Sequence, residues 1–305
     1  MLAQKRKENK VLMKSGFISI IGRPNVGKST LLNAILGEKI AIATDKPQTT
    51  RNTIRGIFTD DDSQMVFIDT PGIHKPKNKL GTYMTDSALG TFKEVDAVLF
   101  LVDDSINKGP GDRYIVDLLK NVKTPKYLII NKIDKLGPIK YKEIFDEYNQ
   151  LGIFDDIFAV SAKENKNVDE VLRELKAKLP EGPQYFPADM VTDHPERFIV
   201  SEIIREKMLM YLNDEVPHGV AIEIESFEEG EKLTKIGAVI YCEKKSHKGI
   251  IIGKGGRKLK GIGKSAREEI EALLGTKVFL ETWVKIKENW RDSDFALSNF
   301  GYKDK

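Results

Sequence analysis

Apolar positions in the first 180 residues cluster into short runs: "FISIIG" (Phe17 to Gly22), "MVFID" (Met65 to Asp69), "AVLFLVD" (Ala97 to Asp103), "YLIIN" (Tyr127 to Asn131) and "DIFAVS" (Asp156 to Ser161). Helical spacing appears between or after them, as in "KSTLLNAIL" (Lys28 to Leu36) and "NVDEVLRELKAKL" (Asn167 to Leu179). Strands that are apolar on both faces and alternate with helices predict an α/β domain with a mostly parallel, doubly wound sheet. "RNTIRGIFTDDDSQMVFID" (Arg51 to Asp69) holds two runs about an Asp-rich turn, which predicts a hairpin and one antiparallel edge strand. The pattern breaks at "EGPQYFPADMVTDHP" (Glu181 to Pro195), a proline-punctuated linker. Beyond it come a helix ("ERFIVSEIIREKMLMYL"), two strands ("GVAIEIESF", "LTKIGAVIYCEK"), two helices around "IIGKGG", and a last strand ("KVFLETWVKIK"). The predicted organisation is a basic extension over residues 1–14, a first domain over 15–180, a linker over 181–196, and a second, α+β domain with a tail over 197–305.

Composition narrows the class. With 305 residues the chain suits two domains, each able to bury a core. Its apolar runs fall far short of the ~20 residues needed to span a bilayer. The lone cysteine, Cys242, excludes an internal disulfide and a cysteine-rich metal site, so a reducing cytoplasm is the expected compartment. "MLAQKRKENKVLMKSGF" lacks the apolar stretch and cleavage site of a signal peptide, and Met13 is an alternative start. The net charge of +3 hides a polarity. Residues 244–267 carry nine Lys or Arg and no acid, which marks a basic face.

"GRPNVGKST" fits G-x-x-x-x-G-K-[ST] between a strand and a helix, the context of a phosphate loop. The loop comprises Gly22, Arg23, Pro24, Asn25, Val26, Gly27, Lys28, Ser29 and Thr30. Backbone N–H groups of Asn25 to Ser29 can wrap a β-phosphate at the helix's positive end. Lys28 would reach the β- and γ-phosphates, and the Ser29 hydroxyl would take a Mg²⁺ position. "DTPG" (Asp69, Thr70, Pro71, Gly72) follows a strand; Asp69 would hold Mg²⁺ through water and the Gly72 N–H would sense the γ-phosphate. "PQTTR" offers Thr50, with Thr49 as the alternative, to close over the metal.

The base is read elsewhere. "NKID" (Asn131, Lys132, Asp134) sits at a strand end, where ligands gather in an open α/β sheet. The Asp134 carboxylate can accept from guanine N1–H and N2–H₂, a pair adenine does not offer. "SAK" (Ser161, Ala162, Lys163) ends the next strand and can place N–H groups on the guanine oxygen. In series, these motifs point to GTP. Together the five resemble translation-factor-related GTPases of the Era/EngA/MnmE type. One position departs from the Ras-like pattern: Ile73 follows "DTPG" where a water-positioning glutamine would stand. Slow intrinsic turnover is therefore expected. The resemblance offers Asn25 as a K⁺ ligand that substitutes for an arginine finger, with a loop-shaping role as the alternative.

"IIGKGG" holds a second glycine loop, G-x-x-G at Gly253 to Gly256, preceded by Ile252 and followed by a basic helix. A turn of this kind between helices lets a nucleic-acid backbone approach and clamps about four nucleotides. Lys254, Gly255, Gly256, Arg257, Lys258 and Lys260 form the expected contact surface, with its charges on phosphates. No Ser or Thr follows Lys254, which disfavours a second triphosphate site. The order α-β-β-α-α-β resembles a type II KH domain. A P-loop GTPase domain followed by a KH domain closely resembles the Era family of bacterial ribosome-assembly GTPases, over all but the first dozen residues. That resemblance implies GTP/GDP and Mg²⁺ as ligands, binding near the 3′ end of 16S rRNA, and a role in maturing the 30S subunit precursor. It further implies a cytoplasmic monomer with no DNA partner and, by family, room for peripheral association with the inner face of the cell membrane. Two readings stand: a hydrolysing switch that gates RNA binding, or a constitutive RNA-binding module with a structural nucleotide domain. Intact Lys28, Ser29, Thr50 and Asp69 favour the switch.

Overall fold

The computed structural model describes residues 12–93, 95–105 and 109–302. Most of the expected extension over 1–14 lies outside them, but Met13 and Lys14 already belong to the first strand, β1 (Met13–Gly22). It is followed by α1 (Lys28–Leu36), β2 (Ile54–Thr59), β3 (Ser63–Asp69), α2 (Lys79–Gly90), β4 (Ala97–Val102) and α3 (Pro110–Leu119). Then come β5 (Lys126–Ile130), α4 (Pro138–Asn149), β6 (Asp156–Ala159), α5 (Val168–Lys178) and the two-residue β7 (Glu181–Gly182).

The sheet order is β2-β3-β1-β4-β5-β6, parallel except for β2, which runs antiparallel to β3 as the hairpin pattern predicts. The continuous apolar run of β4 is explained by burial on both faces. Ala97, Leu99 and Leu101 enter one core with α1 and α5, while Val98, Phe100 and Val102 enter another with α3 and α4. This two-sided burial is what period-free strands require. It leaves all the βα loops at the carboxyl edge of the sheet, where the nucleotide motifs lie.

The linker does not hang free. β7 pairs antiparallel with Met13 and Lys14, and the Tyr185 and Phe186 N–H groups both donate to Gln64 Oε1. Further on, the Ile57 N–H donates to Val191 O at 2.8 Å, so the segment runs along the outer edge of β2.

The second domain is α6 (Glu196–Tyr211), β8 (Ala221–Glu228), β9 (Leu233–Cys242), α7 (Lys245–Ile252), α8 (Arg257–Leu274) and β10 (Lys277–Ile286). β9 is central, antiparallel to β8 and parallel to β10. Ile199, Ile203 and Ile204 of α6 and Ala266 and Ile270 of α8 bury against Ile236, Ala238 and Val278 of the sheet. The tail expected after the last strand instead folds back, with a short α9 (Asp294–Asn299). Trp290, Leu297 and Tyr302 bury with Leu80 and Met84 of α2 and Ala221 of β8 in one apolar cluster that joins the two domains. Among the described residues no helix is long and apolar enough to cross a membrane.

Candidate nucleotide site and nucleic-acid interface

The loop between β1 and α1 depends on glycine. Gly27 adopts φ +98°, and a Cβ there would lie 2.3 Å from Asn131 Nδ2, so no side chain fits. Lys28 is buried and turns inward, its ammonium donating to Gly22 O at 3.2 Å and Arg23 O at 2.9 Å. Burial pushes its pKa down to about 8. Ser29 Oγ donates to Asp69 Oδ2 at 2.6 Å and lies 2.8 Å from Thr50 Oγ1. Asp69 is fully buried, burial pushes it up to about 6, and its Oδ1 has no hydrogen-bond partner among the described residues.

An orphaned carboxylate oxygen beside two hydroxyls is a hard-oxygen donor set that fits Mg²⁺. Of the two switch threonines, Thr50 reaches this cluster. Thr49 Oγ1 is engaged with Lys46 O and Thr44 Oγ1. An open cleft of about 430 Å³ runs over the cluster, lined by Pro24, Asn25, Lys28, Ser29, Thr30, Thr50, Gly72 and Lys132 among others.

The neighbouring positions pack tightly. Val26 is in the core; a Cβ on Gly72 would strike Pro24 N at 2.6 Å, and Thr70 Oγ1 donates to Ile20 O, so the "DTPG" turn is pressed on the phosphate loop. Ile73 is buried among Ile21, Ala88 and Val98, where its apolar side chain fills core and cannot position water. Asn25, at φ 67°, donates its amide N–H to Asp45 O at 2.7 Å.

At the far end of the cleft, Asn131 stitches three motifs. Its Nδ2 donates to Val26 O at 2.8 Å and its Oδ1 accepts from the Ala162 N–H at 3.0 Å. The Ala162 donor, expected for a guanine oxygen, is thus engaged within the protein. Asp134 accepts from Ser161 Oγ at 2.6 Å, a bond that holds its carboxyl below the usual range. Lys163 is exposed beside them. Lys132 adopts φ 63° and sends its ammonium to Asn25 O at 2.7 Å and Asp103 Oδ2 at 3.1 Å.

Asp103 is a site residue that the motifs alone do not reveal. It also takes Arg23 Nη2 at 3.1 Å, while Arg23 Nε binds Asp112 at 2.7 Å. Its position, one residue past β4, is itself a strand-end signal.

In the second domain Gly253 ends α7 at φ +70°, and a Cβ there would lie 2.8 Å from Lys258 Cβ. Gly255 and Gly256 also have positive φ, so the turn exposes backbone that side chains would cover. Lys254, Arg257 and Lys260 project into solvent, and Ile252 and Lys258 are half-buried. Beside the turn, a groove of about 670 Å³ runs between α8 and β10, lined by Gly256, Leu259, Lys260, Lys264, Arg267, Val278, Leu280 and Thr282. Lys264 and Arg267 extend the basic surface past the patch expected around the turn.

Comparison with known proteins matches residues 17–132 to a family described as 50S ribosome-binding GTPase and residues 215–291 to the KH domain family. The GTPase Era of Alkaliphilus metalliredigens is 58% identical over 292 residues, spanning 95% of this chain and 99% of the relative. The chain belongs to the Era family of GTPases. Era of Clostridioides difficile is likewise 58% identical, over 299 residues, with 96% and 100% covered. Among solved structures, an Era in complex with MgGDPNP and nucleotides 1506–1542 of 16S ribosomal RNA superposes with a TM-score of 0.91 at 39% identity, covering 95% of this chain and 99% of that one. An Aquifex aeolicus Era variant bound to GDP and aluminium fluoride gives 0.90 at the same identity and the same coverage. Both matches span the two domains. This Era-family chain is thus a GTPase by family, with GTP/GDP and Mg²⁺ as its ligands.

Proposed function

We propose that this chain is a GTP-hydrolysing switch that binds the 3′ region of 16S ribosomal RNA and acts in maturation of the 30S subunit precursor. It works as a cytoplasmic monomer, and any membrane association it makes is peripheral. One observation carries the reading: Ser29, Thr50 and the orphaned Asp69 carboxylate converge beside Lys28, in the cleft whose other end holds Lys132 and, past it, Asp134. The solved relative that holds MgGDPNP and 16S nucleotides supports the RNA partner.

Each residue has a task. The N–H groups of Asn25 to Ser29 hold the β-phosphate, and Lys28 swings from the Gly22 and Arg23 carbonyls to phosphate oxygens. Ser29, Thr50 and the Asp69 carboxylate would hold Mg²⁺, which when bound would supply positive charge against the phosphates. Asp134 reads guanine through the lone pairs that Ser161 leaves open. Asn131 keeps the phosphate and base loops in register. The Gly72 N–H senses the γ-phosphate. With Ile73 in the core, water is positioned by other groups, and turnover is slow. Asn25, its nitrogen held by Asp45 O, would have its amide oxygen left to offer a K⁺.

The G-x-x-G turn from Gly253 to Gly256 clamps the RNA backbone. Lys254, Arg257, Lys258 and Lys260 neutralise phosphates, and Lys264 and Arg267 extend that track along the groove. The test is the affinity for the 3′ 16S segment measured with GDP and with a non-hydrolysable GTP analogue. A switch requires the two to differ. Equal affinities would instead leave a constitutive RNA-binding module.

A further inference from the structure

Thr50 sits in the segment that joins α1 to β2, and that segment is gripped from the other domain. Arg51 is completely buried. Its guanidinium donates to Val220 O at 2.6 Å, His218 O at 3.0 Å and Tyr302 Oη at 3.3 Å. It also lies 5.7 Å from the Trp290 ring centroid and 5.9 Å from that of Tyr302. Trp290 in turn donates its indole N–H to Gly219 O at 2.9 Å, closing the pocket around the same 218–220 stretch. Every one of these groups belongs to the KH domain or the C-terminal segment that folds back with it.

The grip continues on the other side of Thr50. Arg205 of α6, in a buried pair with Glu202, donates to Thr49 O and to Gln48 O. Glu206 accepts from the Ala43 N–H at 3.1 Å and pairs with Lys39 at 2.6 Å. The residues before and after Thr50 are thus both anchored outside its own domain, while its hydroxyl faces Ser29.

We propose that Arg51 is a positioning residue for the nucleotide site: seated in the KH domain, it holds Thr50 at the metal position, so tight binding of the triphosphate form requires that domain to be docked. The inference rests on the reading of the cleft as a Mg²⁺–GTP site. A ligand's apparent affinity falls with the fraction of molecules in the competent arrangement. GTPase switch segments are ordered by contacts to the γ-phosphate and its Mg²⁺ and released in the diphosphate state, so the triphosphate form is the one that should feel a loosened Arg51. A guanidinium seated through two carbonyls and two rings is not replaced by an ammonium, which lacks the planar fork.

The experiment measures equilibrium binding of fluorescent GDP and of a fluorescent non-hydrolysable GTP analogue, with Mg²⁺, to the full chain. Arg51→Ala is expected to weaken the analogue by at least about fivefold, the lower end of typical coupling between sites, and to leave GDP unchanged. Arg51→Lys should lose analogue affinity in the same direction and reports even if the alanine variant does not fold. Trp290→Phe leaves Arg51 itself in place but removes the indole N–H from Gly219 O and reshapes the wall facing the guanidinium, and should produce the same selective loss. Combined with Arg51→Lys it should add less than its separate effect, because both act on one interaction. A residue with a merely structural role would lower both affinities together. Folded Arg51→Lys and Trp290→Phe proteins that keep the wild-type preference between analogue and GDP would overturn the proposal. A wild-type chain that bound neither nucleotide would overturn the Mg²⁺–GTP reading beneath it.

Discussion

Replacing Asp69 by asparagine should stabilise the nucleotide-free protein while removing its metal-dependent function. Asp69 is fully buried with one oxygen unpartnered, and burial lifts its pKa from 3.8 to about 6. Because the folded-state pKa is raised, the linked stability is fully present below about pH 4 and lost as pH rises through 6. Keeping the ionised form at neutral pH costs the nucleotide-free site about 3 kcal/mol. The asparagine amide cannot ionise, but Lys28, itself held down at about 8 by burial, then loses its counter-charge. Lys28 and Asp69 form no direct ion pair, so that offset takes back only part of the ionisation cost, and the variant's transition should lie above the wild type's. Thermal melts of nucleotide-free Asp69→Asn and wild type at pH 7.5 and pH 5 check this. The advantage should shrink at pH 5, where wild-type Asp69 is mostly protonated. Adding GTP and Mg²⁺ should reverse the order, since only the wild type gains from ligand binding. A variant less stable than wild type at pH 7.5, or one with the same advantage at pH 5, would refute the reasoning.

Asp134→Asn should weaken GTP binding by roughly several kcal/mol and shift preference toward xanthine nucleotides, measured by competition against fluorescent GDP. Lys254→Asp with Gly255→Asp should weaken RNA binding across sequences and flatten its salt slope by about one for each phosphate no longer engaged, while GTP hydrolysis persists. A folded double variant with the wild-type slope would mean the turn touches no phosphate. Turnover should be faster in K⁺ than in Na⁺, and Asn25→Ala should erase the difference; equal rates in the wild type would leave Asn25 shaping the loop through Asp45 O.

The parts legible in the sequence are those encoded by local backbone demands. "KSTLLNAIL" coincides with α1, the apolar runs form parallel strands, and the two glycine loops fall where positive φ is needed. The choice between Thr49 and Thr50 is not legible, because it depends on which hydroxyl faces Ser29 after the segment folds. Asp112 is harder to find than Asp103, which at least stands at a strand end, because its partner, Arg23, is distant in sequence and no periodicity marks such a pair. The C-terminal segment reads as a tail because its few apolar residues cannot form a core alone. They are buried together with residues of α2, β8 and β9.

The linker fastened along β2 changes the energetics of the whole assembly. Arg55 pairs with Asp193, Thr192 Oγ1 donates to Arg55 O, and His194 Nε2 lies 3.1 Å from Thr53 O, so the chain is pinned until just before α6 begins. The KH domain is therefore on a very short leash. Its local concentration at the first domain is set by a pivot near Pro195 rather than by a long floppy tether, and docking forfeits little chain entropy. Under those conditions the Arg51 seat and the apolar cluster around Trp290 together make the junction between the domains. A KH domain whose seat was broken by mutation would stay within reach of the first domain and dock again without a search through solution.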